Sequence, residues 1–266
     1  MKKTTFILLT FLIIVCAFEA CDYFAQAKND SATNENHKSV VIAKPDSSEL
    51  KSSHVEGGVT SAPICKIEQC LIDAGLVDVQ SIDSGLVVDL KYSTCDNFLG
   101  LDVYGDLNKC YLQPDVAQKL KACQKELKSR FPFYNLIIFD AVRPRSIQSK
   151  MWDTIAVPLS ERSKYVSNPK NGSLHNFGAA VDVSIVDKNR IELDMGTKYD
   201  YFGELAYPRE EERMIKEGRL THIQLLNREL LRNVMESGGF SGITTEWWHF
   251  NSCLRNEAYT KYKIIE

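Results

Sequence analysis

An aspartate stands in the middle of an apolar, alternating run, Val181-Asp182-Val183-Ser184-Ile185. Alternation of this kind predicts a strand with one face in the core. Burying an ionised carboxylate there is costly unless it is paired with a cation or bound to a metal. The fold must therefore bring a partner to Asp182, and candidates are few. The chain has five histidines. His37 and His54 fall in a polar N-terminal stretch, and His222 in a polar helical region where a surface place is expected.

The other two histidines have unusual surroundings. His175 is delivered by a loop containing Asn171-Gly172, just before the strand of Asp182. His249 closes the run Glu246-Trp247-Trp248-His249, where a carboxylate and an imidazole stand among large aromatics that exclude water. Two histidines and one aspartate suit a catalytic zinc that keeps a fourth position open. Glu246 is then a spare carboxylate beside the metal, placed to act as general base. The competing reading is a core histidine hydrogen-bonded to an aspartate, with no metal. A third cluster is Asp140-Ala141-Val142-Arg143-Pro144. Arg143 follows a short buried strand, where a fixed guanidinium can stabilise an oxyanion. Asp140 either orients it or simply pairs with it to hold the turn.

Around these residues the pattern predicts a strand over 86–92, a loop over 97–105 and a helix over Pro114–Arg130, with Val116, Leu120, Cys123 and Leu127 on one face. A strand over 136–139, a helix over 146–155, helical structure over 210–237 broken near Gly218, and a last strand over 247–250 follow. Strands and helices mix without a βαβ repeat. The expected class is α+β, a single domain with a small mixed or antiparallel sheet flanked by helices.

The N-terminus reads as an export signal. Lys2 and Lys3 precede an apolar run from Phe6 to Phe18, and Ala25-Gln26-Ala27 has the form of a cleavage site. Cys21 offers lipid attachment instead, and a retained anchor is the third reading. The expected organisation is a signal over 1–27, or a lipoprotein signal ending before Cys21, a linker over 28–63 rich in Ser, Asn, Lys and Glu, and a domain over 64–266. All three readings place the domain outside the cytoplasm, periplasmic or facing the periplasm. Cys65, Cys70, Cys95, Cys110, Cys123 and Cys253 then suggest disulfides, with pairing left open. A formal net charge of -3 excludes a protein driven by phosphate contacts, so no nucleic-acid partner is expected. Membrane contact is expected only through the N-terminus.

The ordered blocks carry a resemblance. S-x-H-x(6)-D at Ser173–Asp182, preceded by D-x-x-R-P at Asp140–Pro144 and followed by E-W-W-H at Glu246–His249, resembles the zinc D-alanyl-D-alanine dipeptidases of the VanX type. These belong to the D,D-peptidases related to the Hedgehog N-terminal fold. Lys91-Tyr92-Ser93-Thr94-Cys95-Asp96-Asn97-Phe98-Leu99-Gly100 and Met195-Gly196-Thr197-Lys198-Tyr199-Asp200 are similar to two further family blocks. The resemblance implies one zinc ion held by His175, Asp182 and His249, with Glu246 as base and Arg143 on the oxyanion. It places Tyr92, Ser173 and Asp200 around the charged ends of the substrate, with Asp200 for the ammonium and Ser173 toward the carboxylate. The implied reaction is hydrolysis of D-Ala-D-Ala to two D-alanines in cell-wall turnover. The alternative is a D,D-carboxypeptidase or endopeptidase acting on peptidoglycan stem peptides. Val142 and Leu174 depart from the pattern, where many relatives carry an aromatic residue and a serine.

Overall fold

The computed structural model describes residues 65–266; the expected signal and linker lie outside the described residues. The strands are β1 (Val77–Asp78), β2 (Val87–Val88), β3 (Tyr111–Leu112), β4 (Asn135–Asp140), β5 (Ala180–Val186), β6 (Ser241–Gly242) and β7 (His249–Asn251). The helices are α1 (Lys66–Asp73), α2 (Val79–Ile82), α3 (Pro114–Arg130), α4 (Arg145–Thr154), α5 (Glu211–Lys216), α6 (His222–Ser237) and α7 (Arg255–Lys261). The main sheet has the order β2-β4-β5-β7-β6, and β1 and β3 form a separate antiparallel pair. Only the β2–β4 pairing in the main sheet is parallel. This is the expected α+β domain with a small mixed sheet.

β5 is central and every residue in it is buried. Its odd positions, Val181, Val183 and Ile185, join the main core with Leu136 and Ile138 of β4 and Phe250 of β7. Strand alternation turns the even positions, Asp182, Ser184 and Val186, to the opposite face. Val186 packs there with Ile137 and Phe139. α3 and α6 pack against each other, and α3 also meets β4. Pro114 starts α3 at a position that needs no N–H donor. Thr221 and Gln224 cap α6 reciprocally, at 3.2 and 2.9 Å.

Register places the chemistry. Asp140 pairs with Asp182, and Asp182 pairs with His249, so the three lie in a row across β4, β5 and β7. A register shift between Ile138 and Asp140 marks a bulge, a device that re-aims a side chain at a strand end.

Several sequence expectations differ in detail. The run over 86–92 is a strand only at Val87–Val88, and Lys91–Ser93 forms a 3-10 turn. The Tyr92 carbonyl accepts from the Val103 and Tyr104 N–H groups at 2.9 and 3.0 Å, which draws the 97–105 loop against it. β7 begins at His249 rather than Trp247, although the Trp248 carbonyl still accepts from Val183 N–H at 3.0 Å. The 210–237 region is two helices around Gly218, and His222 is exposed at the start of the second. α1, α2, α7 and the two-residue strands β1, β3 and β6 were not expected.

The expected disulfides are not found: all six cysteines of the described residues are free thiols. Local roles account for several of them. Cys65 caps α1 by accepting from Glu68 N–H at 3.4 Å. Cys110 and Cys123 are packed singly into the core. Burial pushes the Cys123 thiol up to about 12.

Gly178 links His175 to β5. It has φ +64°, and a Cβ there would meet Leu76 Cδ2 at 3.0 Å and the Gln113 backbone nitrogen at 3.3 Å. Gly178→Ala is expected to cost about 2 kcal/mol, from the left-handed backbone and the crowding together. Urea unfolding of the variant measures this; a midpoint equal to the parent's would show that the turn relaxes freely.

Candidate active site

His175 sits in a buried 3-10 turn, Leu174–Phe177, held from both sides. Its carbonyl accepts from Arg143 N–H at 3.0 Å, and Asn176 Nδ2 donates to the Arg143 carbonyl at 2.7 Å. The ring Nδ1 lies 2.6 Å from the Ala141 carbonyl. A carbonyl only accepts, so Nδ1 carries the proton and Nε2 is left with a lone pair. His249 is oriented the other way. Its Nε2 lies 2.9 Å from Asn251 Oδ1, which assigns the proton there and leaves Nδ1 open.

The two open nitrogens face each other at 3.1 Å. Asp182 Oδ1 is 2.9 Å from His249 Nδ1 and 3.4 Å from His175 Nε2. The ligand atoms of the three residues all lie within 4.8 Å of one another. Two lone pairs pointed at one another beside a carboxylate require a proton or a cation between them. The donor set of two imidazoles and one carboxylate fits a borderline divalent ion such as zinc. Burial opposes ionisation of Asp182, but the charges and hydrogen bonds of His175 and His249 overcome it and hold the carboxyl well below its usual range. For His249 burial likewise opposes the charge, and Asp182 raises the imidazole to about 9. Three such groups could hold a metal cation, in competition with protons.

Outer contacts fix these ligands. The Tyr199 hydroxyl donates to Asp182 Oδ2 at 2.9 Å. Asp140, fully buried at the end of β4, accepts from Tyr104 OH at 2.6 Å and from Arg143 Nε at 2.9 Å. Arg143 Nη2 also bonds Asp140 Oδ2 and lies 3.9 Å from Asp182 Oδ2. The guanidinium sits over the Tyr92 ring, 5.1 Å from its centroid. Nη1 has no hydrogen-bond partner among the described residues and is free to donate.

Glu246 stands one-third exposed, its Oε2 4.0 Å from His249 Nδ1. Desolvation first, and then the Asp182 charge, raise its pKa, against the pull of the histidines and Arg143. Asp200 is raised well above the usual carboxylate range by burial and by Asp182. It accepts from Tyr92 OH at 3.0 Å and has a left-handed backbone, φ +58°. Arg228 and Glu211 secure the segment that carries it. Buried Arg228 donates to the Met195 carbonyl at 2.7 Å and the Leu205 carbonyl at 2.9 Å, and lies 3.3 Å from Glu211.

A cavity of about 240 Å³ is lined by Tyr92, Arg143, Ser173, His175, Asp182, Asp200, Glu246 and His249. The fold thus brings together every expected site residue, with Asp140 directly behind Arg143. Ser173 differs in one respect. Its hydroxyl donates to Gln148 Oε1 at 2.9 Å, so its proton is spent inside the protein.

Sequence reasoning missed Tyr104, Gln148, Asn251 and Arg228. Arg228 left a signal, since it shares a helix face with Leu231 and Met235. Tyr104 left none, because it reaches Asp140 from an irregular loop. Tyr199 stood inside a quoted block without a role.

The family described as D-ala-D-ala dipeptidase, of the M15 peptidases, matches residues 72–263. The chain is 32% identical over 176 residues to the D-alanyl-D-alanine dipeptidase of Escherichia coli (strain K12), covering 66% of this chain and 83% of that protein. It is 28% identical over 203 residues to the D-alanyl-D-alanine dipeptidase of Enterococcus faecium, covering 71% and 95%. The D-alanyl-D-alanine dipeptidase of Enterococcus faecalis (strain ATCC 700802 / V583) is 27% identical over 203 residues, covering 71% and 95%. With the family match running through the site and most of the domain, this chain belongs to the D-alanyl-D-alanine dipeptidase family of M15 peptidases and is a peptidase.

Proposed function

We propose that the protein is a zinc-dependent dipeptidase that hydrolyses D-Ala-D-Ala to two D-alanines. The observation that carries this is the convergence of His175 Nε2, His249 Nδ1 and Asp182 on one point, in a cavity shared with Glu246, Arg143 and Asp200. His175, Asp182 and His249 would hold one zinc ion, which when bound supplies Lewis-acid polarisation of the scissile carbonyl and activates water for attack. Glu246 takes the proton of the attacking water on its carboxylate. Its raised pKa suits a group that must keep that proton and then return it to the leaving amine. Arg143 offers its free Nη1 to the oxygen that gains negative charge, and Asp140 holds the guanidinium in position. Asp200 and Tyr92 take the substrate ammonium. A cationic partner relieves a carboxylate whose ionisation burial and the Asp182 charge oppose.

A free dipeptide carries both of its charges within two residues, and a cavity of about 240 Å³ with Asp200 in its wall favours it over an extended stem peptide. In the cell this activity would serve turnover of wall fragments. The Lys2-Lys3 and Phe6–Phe18 pattern supports export to the periplasm, with or without a lipid on Cys21. The free thiols lend export no support.

The test is D-alanine release from D-Ala-D-Ala by the zinc-loaded protein. Chelation is expected to abolish turnover and added zinc to restore it. Release that survives full removal of metal would overturn the reading. Turnover of a stem pentapeptide in preference to the dipeptide would replace it with the carboxypeptidase reading.

A further inference from the structure

We propose that Arg255 is the specificity residue that receives the free carboxylate at the C-terminal end of the substrate. This rests on the dipeptidase reading above and adds to it the group that demands an unblocked carboxyl end.

A zwitterionic dipeptide needs a cation as well as an anion in its site. Three cationic side chains line the cavity: Arg143, Lys164 and Arg255. Arg143 is committed to Asp140. Lys164 is paired with Glu161. Arg255 has no carboxylate partner among the described residues, and is the uncompensated positive charge of the lining. Ser173, the other group expected at that end, has its proton spent on Gln148.

Arg255 is also held in a way that leaves donors free. It stands at the first position of α7 and donates through Nη2 alone, to the Asn171 carbonyl and to the Gly172 carbonyl at 2.7 Å. Its Nε and Nη1 have no partner among the described residues. One arm of the guanidinium is therefore fixed on the loop, and Nε and Nη1 each remain able to give a carboxylate a single charge-assisted hydrogen bond. The loop it holds, Asn171-Gly172, leads directly into Ser173 and His175.

Asp200 and Arg255 are linked through the site by a run of contacts. Asp200 bonds Tyr92, whose oxygen lies 3.3 Å from Tyr199 OH, and Tyr199 bonds Asp182. Asp182 adjoins His175, three residues beyond the Gly172 carbonyl that Arg255 holds. Asp200, the metal-ligating residues and Arg255 all line the one cavity, so a small zwitterion within it has an anion and an uncompensated cation in reach.

Two substrates separate carboxylate binding from loop holding. The zinc-loaded protein is assayed on D-Ala-D-Ala and on its C-terminal amide, with Arg255→Gln and Arg255→Lys as variants. The parent is expected to favour the free carboxylate. Arg255→Gln is expected to lower kcat/KM for the dipeptide on the order of 30-fold, chiefly through KM, so that the ratio between the two substrates collapses toward one. Arg255→Lys keeps the charge and loses the guanidinium's separate loop-holding arm, and recovers part of the ratio. Tyr259 OH also holds the Asn171 carbonyl, at 2.9 Å, so the loop keeps an anchor in both variants. Equal losses on both substrates, or no loss on either, would overturn the proposal while leaving the dipeptidase reading standing. A parent protein that turns over neither substrate would overturn the dipeptidase reading, and this proposal with it.

Discussion

Glu246→Gln is expected to lower kcat by about 100- to 10,000-fold while zinc stoichiometry stays at that of the parent. The glutamine keeps the shape of the side chain and loses the basic oxygen. None of the three converging ligand atoms belongs to Glu246, and its nearest contact to them is 4.0 Å, at His249 Nδ1. Metal binding and proton transfer therefore separate at this residue. The measurement pairs D-alanine release with metal analysis of the same sample. A variant that keeps more than about a tenth of parental turnover would remove Glu246 from the role of base and pass it to water. A variant that loses its zinc would show that Glu246 belongs to the metal site.

The candidate site was legible in the sequence because its rarest residues are the ones the fold brings together. An aspartate inside an apolar strand cannot be explained by packing, and two histidines in crowded, partly apolar segments answered it. Strand register then did what spacing alone cannot. Asp140, Asp182 and His249 lie far apart in the sequence and adjacent across three strands. The long helices, α3 and α6, were legible because each has a sustained apolar face and a marked boundary, Pro114 at the start of one and the Gly218 break ahead of the other. The strand expected over 86–92 shrank to two residues because its pairing is decided by loop contacts, through the Tyr92 carbonyl, and not by its own alternation. α1 and α2 were missed for a related reason. Both are short, and their polar caps, Cys65 and Asp78, look like ordinary loop residues. The disulfides were expected from compartment and count, which say nothing about distance. Cys110 and Cys123 instead fill core positions as small apolar side chains.

Asp140→Ala is expected to destabilise the protein by about 3–5 kcal/mol, because it leaves the Arg143 guanidinium buried without its partner. For a domain of this size that corresponds to a fall in Tm of roughly 10 °C. Asp140 has no exposure, it takes both Nε and Nη2 of Arg143, and it also satisfies Tyr104 OH. The same loss should free the guanidinium to turn toward Asp182, whose Oδ2 already lies 3.9 Å away. A cation drawn onto Asp182 competes with the metal and leaves the oxyanion position, so turnover should fall further than the loss of folded protein explains. Tyr104→Phe separates the two effects. It removes one hydrogen bond from Asp140 and leaves Arg143 paired, so it should cost about 1 kcal/mol and change kcat little. Thermal melting and steady-state turnover of both variants, at a temperature where each is folded, give the comparison. If Asp140→Ala keeps parental turnover once folded, Arg143 does not need Asp140 to reach the oxyanion, and the pair serves only to hold the turn between β4 and α4. If Tyr104→Phe loses turnover as severely as Asp140→Ala, the hydroxyl itself positions Asp140, and the loop over 97–105 becomes part of the catalytic support.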